Sequence, residues 1–183
     1  MSTIYNVLIV IDCDSIMSGT TDPGKVIQMY ADPSIVQKDA NGSSTQGSYE
    51  LSIEVQNQDV IRWFMFPKEV KASDTDQGYT AIVSSDYAWN DAKLLASWTA
   101  YDGQGTILIY KPDAQPLPSG TTATVATVGD YKPYIQAQAV LPGRPDPGTN
   151  QQEAYTFYVD IYQGTTKVKT YSWDPFVTVT QPG

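Results

Sequence analysis

Period-two alternation is the hydrophobic pattern that recurs along this chain. In "YELSIEV", Tyr49, Leu51, Ile53 and Val55 fall on one side and Glu50, Ser52 and Glu54 on the other. A strand with one buried face reads this way. In "AYTFYVDIYQ", Tyr155, Phe157, Val159 and Ile161 point one way. Thr156, Tyr158, Asp160 and Tyr162 point the other, so that second face is polar-aromatic. Strands are predicted at about 3–12, 26–30, 48–55, 59–66, 79–88, 106–110, 121–128, 133–140, 154–162, 166–173 and 176–180. Short strands parted by turn residues predict an all-β fold: a single-domain antiparallel β-sandwich of about ten strands over residues 1–183.

The punctuation between these segments is specific in places. Gln163-Gly164-Thr165 reads as a hairpin turn with "KVKTYSW" returning, and Asn57-Gln58-Asp59 reads as a second hairpin between Val55 and Val60. Helix signals are sparse. Ala88, Ala92, Leu95 and Ala96 keep helical spacing behind Asp86 as an N-cap, which predicts one short helical turn near 89–96. Residues 32–48 and 141–152 read as long surface loops.

Composition narrows the chemistry. The longest apolar run, Val7 to Ile11, is far too short to span a bilayer. The N-terminus shows no positive region and no small-residue cleavage site, so the expectation is a cytoplasmic protein. A net charge of −9, with 11 basic residues scattered along the chain, argues against nucleic acid and anionic membranes as partners. There is no histidine, which excludes Ser-His-Asp and Cys-His catalysis and histidine-ligated metals. One cysteine allows neither an intrachain disulfide nor a cysteine-zinc cluster. Cys13 lies between Asp12 and Asp14, whose charges oppose thiolate formation, so an inert packed thiol is expected.

The stretch "NVLIVIDCDS" carries the sharpest chemical question. An apolar strand ending in Asp12 and Asp14 resembles the D-x-D signature of haloacid-dehalogenase-type phosphotransferases, in which the first carboxylate attacks phosphorus beside magnesium. That chemistry belongs to an α/β fold, whereas turns and further strands follow Ser15 here. "TVGDYKPY" mimics the later Gly-Asp motif of those enzymes only weakly, again between strands. If the strand continued, the two aspartates would share one face with Cα atoms roughly 7 Å apart. The plainer expectation is a strand end whose carboxylates bind loop amides or face water. Calcium, which needs only oxygen ligands, is the alternative. Its candidates are Asp12 with Asp14, Asp74 with Asp76, and Asp146, against the ordinary reading of solvated loop acids. Trp63, Trp89, Trp98 and Trp173, with Tyr79, Tyr87, Tyr101, Tyr131 and Tyr134, are candidate sugar platforms; the competing reading is core or subunit interface.

"NVLIVIDCDSI", "QDVIRWFMF", "YIQAQAV", "FYVDIY" and the closing "YSWDPFVTV", in this order, resemble the bacterial AidA/PixA inclusion-body protein family from end to end. The resemblance implies a protein without established active-site residues or cofactor, from a family that includes quorum-sensing-dependent members and a methionine-rich member forming intracellular crystalline inclusions. With four methionines this chain is not methionine-rich, which weighs against sulfur storage. The expectation is therefore a non-enzymatic, self-associating protein with a density-regulated, host-interaction or storage role. The alternative is a sandwich that binds a small molecule or glycan. The partner expected first is a second copy in a two-fold dimer. Tyr158, Tyr162, Tyr171 and Trp173 are the candidate interface, because "TFYVDIYQGTTKVKTYSW" carries aromatics on both parities.

Overall fold

A computed structural model describes residues 2–68, 78–83, 93–101, 103–110, 125–131 and 133–183, with the stretches 104–110 and 125–131 described by their backbone. The first strand, β1 (Ile4–Ile11), ends where Asp12 caps α1 (Cys13–Met17). Asp22 then caps α2 (Pro23–Val26), which has proline in its first turn. The chain returns as β2 (Ile27–Tyr30), antiparallel to β1. Next come β3 (Ser52–Gln56), β4 (Val60–Pro67), β5 (Tyr79–Val83) and β6 (Leu95–Tyr101). The ribbon strands β7 (Gln104–Tyr110) and β8 (Val125–Tyr131) precede β9 (Tyr134–Ala139) and β10 (Asn150–Ala154). The chain closes with β11 (Phe157–Gln163), β12 (Thr166–Trp173) and β13 (Phe176–Thr180).

The chain is mostly β, with two short helices, α1 and α2, where at most one was expected, and the expected antiparallel sandwich needs correcting. The strands form a five-stranded sheet in the order β2-β1-β4-β9-β6, two three-stranded sheets, β10-β13-β3 and β12-β11-β5, and the ribbon β7-β8. Among the described residues two pairings are parallel: β1 runs beside β4 from Ile4↔Val60 to Ile11↔Pro67, and β3 runs beside β13. Alternation along a strand reveals which side is buried. It carries no information about the direction of the neighbour.

The turn at Asn57–Asp59 is the clearest local correction. It joins β3 in one sheet to β4 in another, so it is an arch between sheets and not a hairpin. Gln58 sits there at φ 80°, a left-handed position tolerated because its neighbours are pinned. The buried Asp59 carboxylate accepts the backbone N–H of Thr3 at 2.7 Å and of Gln56 at 2.9 Å. The hairpin at Gly164-Thr165 forms as expected, pairing Gln163 with Thr166. The region read as a helical turn instead opens β6 at Leu95 and Ala96, while 89–92 lie outside the described residues. β10 begins inside the segment read as a loop. The other long loop is strapped to β3 by Gln37 N–H on Ser52 O and Glu54 N–H on Ile35 O.

One buried cluster joins the sheets. Val7, Ile9 and Ile11 of β1, Ile61 and Trp63 of β4, Ile53 and Val55 of β3, and Val177 and Val179 of β13 all contribute. Tyr155, Phe157, Val159 and Ile161 are all buried, as their alternation demands.

Candidate functional site

The D-x-D motif resolves into a helix start. Asp12 is outside β1, and its Oδ1 accepts the Ser15 amide at 2.9 Å as the N-cap of α1. Its Oδ2 meets Lys68 Nζ at 2.9 Å. The two aspartates thus do not share a strand face, because α1 begins between them. Burial pushes the Asp12 carboxyl up, but hydrogen bonds from Lys68 and Ser15 and the lysine charge outweigh it. The net effect holds it below its ordinary 3.8. A depressed folded value adds stability that is present above pH 3.8 and lost as pH falls through the folded value. Asp12→Asn is therefore expected to cost about 1 kcal/mol at neutral pH, a figure kept small because Lys68 is more than half exposed. The gap from wild type should close below about pH 3.8 in acid-dependent urea melts; a gap independent of pH would overturn this role. Burial first, then the charges of Asp14 and Asp12, push the Cys13 thiol up to about 11, so it is an inert core group.

Among the described residues no group of three or more Asp, Glu or Cys side chains is placed to hold a metal. Asp146 is exposed and offers its backbone carbonyl to Thr149, while Asp74 and Asp76 lie outside the described residues.

Most tryptophans named as sugar platforms form the centre of the fold. Trp63, 1% exposed, stacks on Trp98 with centroids 5.1 Å apart and meets Tyr155 edge-on at 5.8 Å. Its indole N–H donates to the Tyr155 hydroxyl at 3.1 Å. Phe157 links this group to Trp173, whose N–H points at Met29 Sδ. Trp98 reaches Trp63 because β6 bulges between Ala96 and Thr99, with Ser97 at φ 56°. Trp89 and Tyr87 lie outside the described residues, as does the Tyr131 side chain.

A cleft of about 220 Å³ opens beside this aromatic group, between β4 and β9 on one side and β5 on the other. Its lining is hydrocarbon, thioether and aromatic, and no lining residue carries a charge. Tyr101 and Tyr134, stacked at 4.9 Å with a 19° interplanar angle, stand at its edge.

The opposite face of the five-stranded sheet is the other feature of note. One cross-strand row, Tyr30-Leu8-Phe64-Tyr134-Tyr101, runs over all five strands. Phe64 and Tyr134 lie 5.1 Å apart, and the Arg62 guanidinium covers Tyr134 at 5.0 Å. Leu8, Phe66, Tyr101 and Ile4 are 38%, 41%, 41% and 50% exposed. The signal for this face was present in the unbroken apolar runs "VLIVI" and "WFMF", which leave no polar face to a strand.

The residues expected at an interface fare differently. Trp173 is 3% exposed and belongs to the core, which corrects its placement. Tyr171 donates its hydroxyl to Thr21 O at 3.0 Å. Tyr158 and Tyr162 are half-buried on the face of β11 that also holds Asp160. Asp160 is buried between Lys167 at 2.8 Å and Thr170 at 2.6 Å.

No helix among the described residues is long and apolar enough to cross a membrane. No curated protein sequence matches the chain. In fold it is similar to the crystal structure of the inclusion body protein PixA from Burkholderia cenocepacia J2315, with a TM-score of 0.50 and 14% identity over 98% of this chain and 96% of that one. The family model described as PixA, inclusion body protein, matches residues 3–179, nearly the whole length. The chain belongs to the PixA inclusion body protein family.

Proposed function

We propose that this protein is a non-catalytic, self-associating member of its family, and that two copies meet through the outward face of the five-stranded sheet. The observation that carries this reading is the composition of that face. Around the aromatic row stand Ile4, Asn6, Val10, Gln28, Val60, Arg62, Phe66, Gln136, Gln138, Ala96 and Thr99. None is acidic, in a chain with 20 carboxylates and a net charge of −9. Repulsion between copies is therefore weakest where apolar surface is greatest, and the remaining charges are screened over roughly 8 Å at physiological salt. Five strands about 4.8 Å apart, four to eight residues long, present roughly 500 Å², which is about two thirds of one side of a standard interface. A flat face of this kind closes most simply by two-fold symmetry. The density-regulated or host-interaction role expected from the resemblance attaches to this assembly, and the four methionines still weigh against sulfur storage.

Light scattering on a size-exclusion column tests the reading. The wild type should run at twice the 20.1 kDa subunit mass, and a Leu8→Asp, Phe66→Asp double variant at the subunit mass. A monomeric wild type at tens of micromolar sinks the proposal. If Tyr158→Asp with Tyr162→Asp breaks the dimer and the double variant does not, the interface lies on the β12-β11-β5 sheet instead. The same preparations address catalysis: p-nitrophenyl phosphate turnover with magnesium should match a mock preparation for wild type and Asp12→Asn alike.

A further inference from the structure

We infer that the cleft between β5 and the five-stranded sheet is a binding site for a small, uncharged, planar apolar molecule of one or two rings. Three properties of the cleft lead there. The first is its chemistry. Trp63, Met65, Ile82, Val83, Ala100 and Ile135 supply hydrocarbon, ring and thioether surface. Trp63 has already placed its N–H on Tyr155. A sugar or a carboxylate sealed against such walls would lose its water and gain few partners, which is costly. An apolar molecule loses nothing comparable.

The second property is size. An apolar cavity of about 150 Å³ accommodates benzene. The 220 Å³ here is larger, enough for a fused pair of rings. The third is shape. The lining includes the rings of Trp63, Tyr101 and Tyr134, the two tyrosines nearly parallel, while Trp98, stacked on Trp63 at 24°, does not line the cleft. Flat ligands suit flat walls, because offset stacking adds attraction beyond area burial. The cleft shares Tyr101 and Tyr134 with the self-association face, but Leu8 and Phe66, which are mutated to break that face, do not line it.

Indole is the probe, with glucose as the contrast and ligand-observed NMR as the readout. Indole should bind with a Kd on the order of 0.1–1 mM, as expected for so small a ligand. Glucose should bind at least tenfold more weakly. Ala100 lines the cleft from an exposed position on the edge strand β6, so Ala100→Trp fills it without disturbing the core. That variant should keep the wild-type melting temperature and lose indole binding tenfold or more. The Leu8→Asp, Phe66→Asp variant should bind indole as wild type does, whatever its mass, which separates this site from the proposed interface. No indole binding at several millimolar, equal binding of glucose, or unchanged binding in a folded Ala100→Trp variant would each overturn the assignment.

Discussion

Trp63→Ala lowers the unfolding free energy by roughly 4–5 kcal/mol, at the upper end for large aromatic truncations. Trp63 is the largest fully buried side chain among the described residues, and it touches Trp98, Tyr155 and Phe157. Removing the indole opens a cavity between sheets whose strands are held by their own hydrogen bonds and collapse only partly. It also strips the Tyr155 hydroxyl of the donor at 3.1 Å. That hydroxyl is buried, and burial drives its ionisation well above the ordinary tyrosine range, so it persists as a neutral group in need of a partner. Trp63→Phe keeps a ring but not the N–H, and should cost about half as much. Urea denaturation with matched slopes measures both. A loss under about 1 kcal/mol in Trp63→Ala would mean that the aromatic group does not organise the core.

Asp59→Ala comes next, at roughly 3 kcal/mol, from two hydrogen bonds to a charged acceptor at about 1.5 kcal/mol each. One carboxylate ties the N-terminus through Thr3 and closes the arch through Gln56, and the Asp59 carbonyl also receives the Ala139 amide. Alanine preserves the last contact and abolishes the first two. Asp59→Asn retains one good acceptor and should fall between wild type and alanine. Hydrogen exchange at the Thr3 and Gln56 amides provides a second reading: both should lose protection in Asp59→Ala before the rest of β4 does. Unchanged protection at both amides would dismiss the staple.

The two residues differ in how visible they are from sequence. Trp63 sits in "VIRWFMF", where its burial follows from parity with Ile61. Its partners come from β6 and from the region around β11, and no local pattern names them. Asp59 looks like an ordinary turn residue in "QNQDV", and its work is done on Thr3, 56 positions away. The same contrast governs the candidate site. The outward row could be suspected strand by strand, because "VLIVI" and "WFMF" have no polar parity. Its alignment into one band depends on the parallel register of Leu8 with Phe64 and the antiparallel register of Phe64 with Tyr134. The cleft depends on which strands face each other, so nothing in the sequence announced it.

By itself the sequence determined the strand-rich class, the inward positions of β3 and β11, the absence of histidine chemistry, and membership of the family through blocks spread along the chain. These are properties of residue type and period two, which act within a few neighbours. Tertiary structure decided that Asn57–Asp59 crosses between sheets, that Asp12 caps a helix, and that Trp98 turns inward through a bulge. It also decided that Trp173 is core and that the acid-free face belongs to five strands gathered from distant segments. Such outcomes depend on pairing direction, register and inter-sheet packing. The chain settles them by burying apolar area over long sequence separations, where local patterns carry no signal.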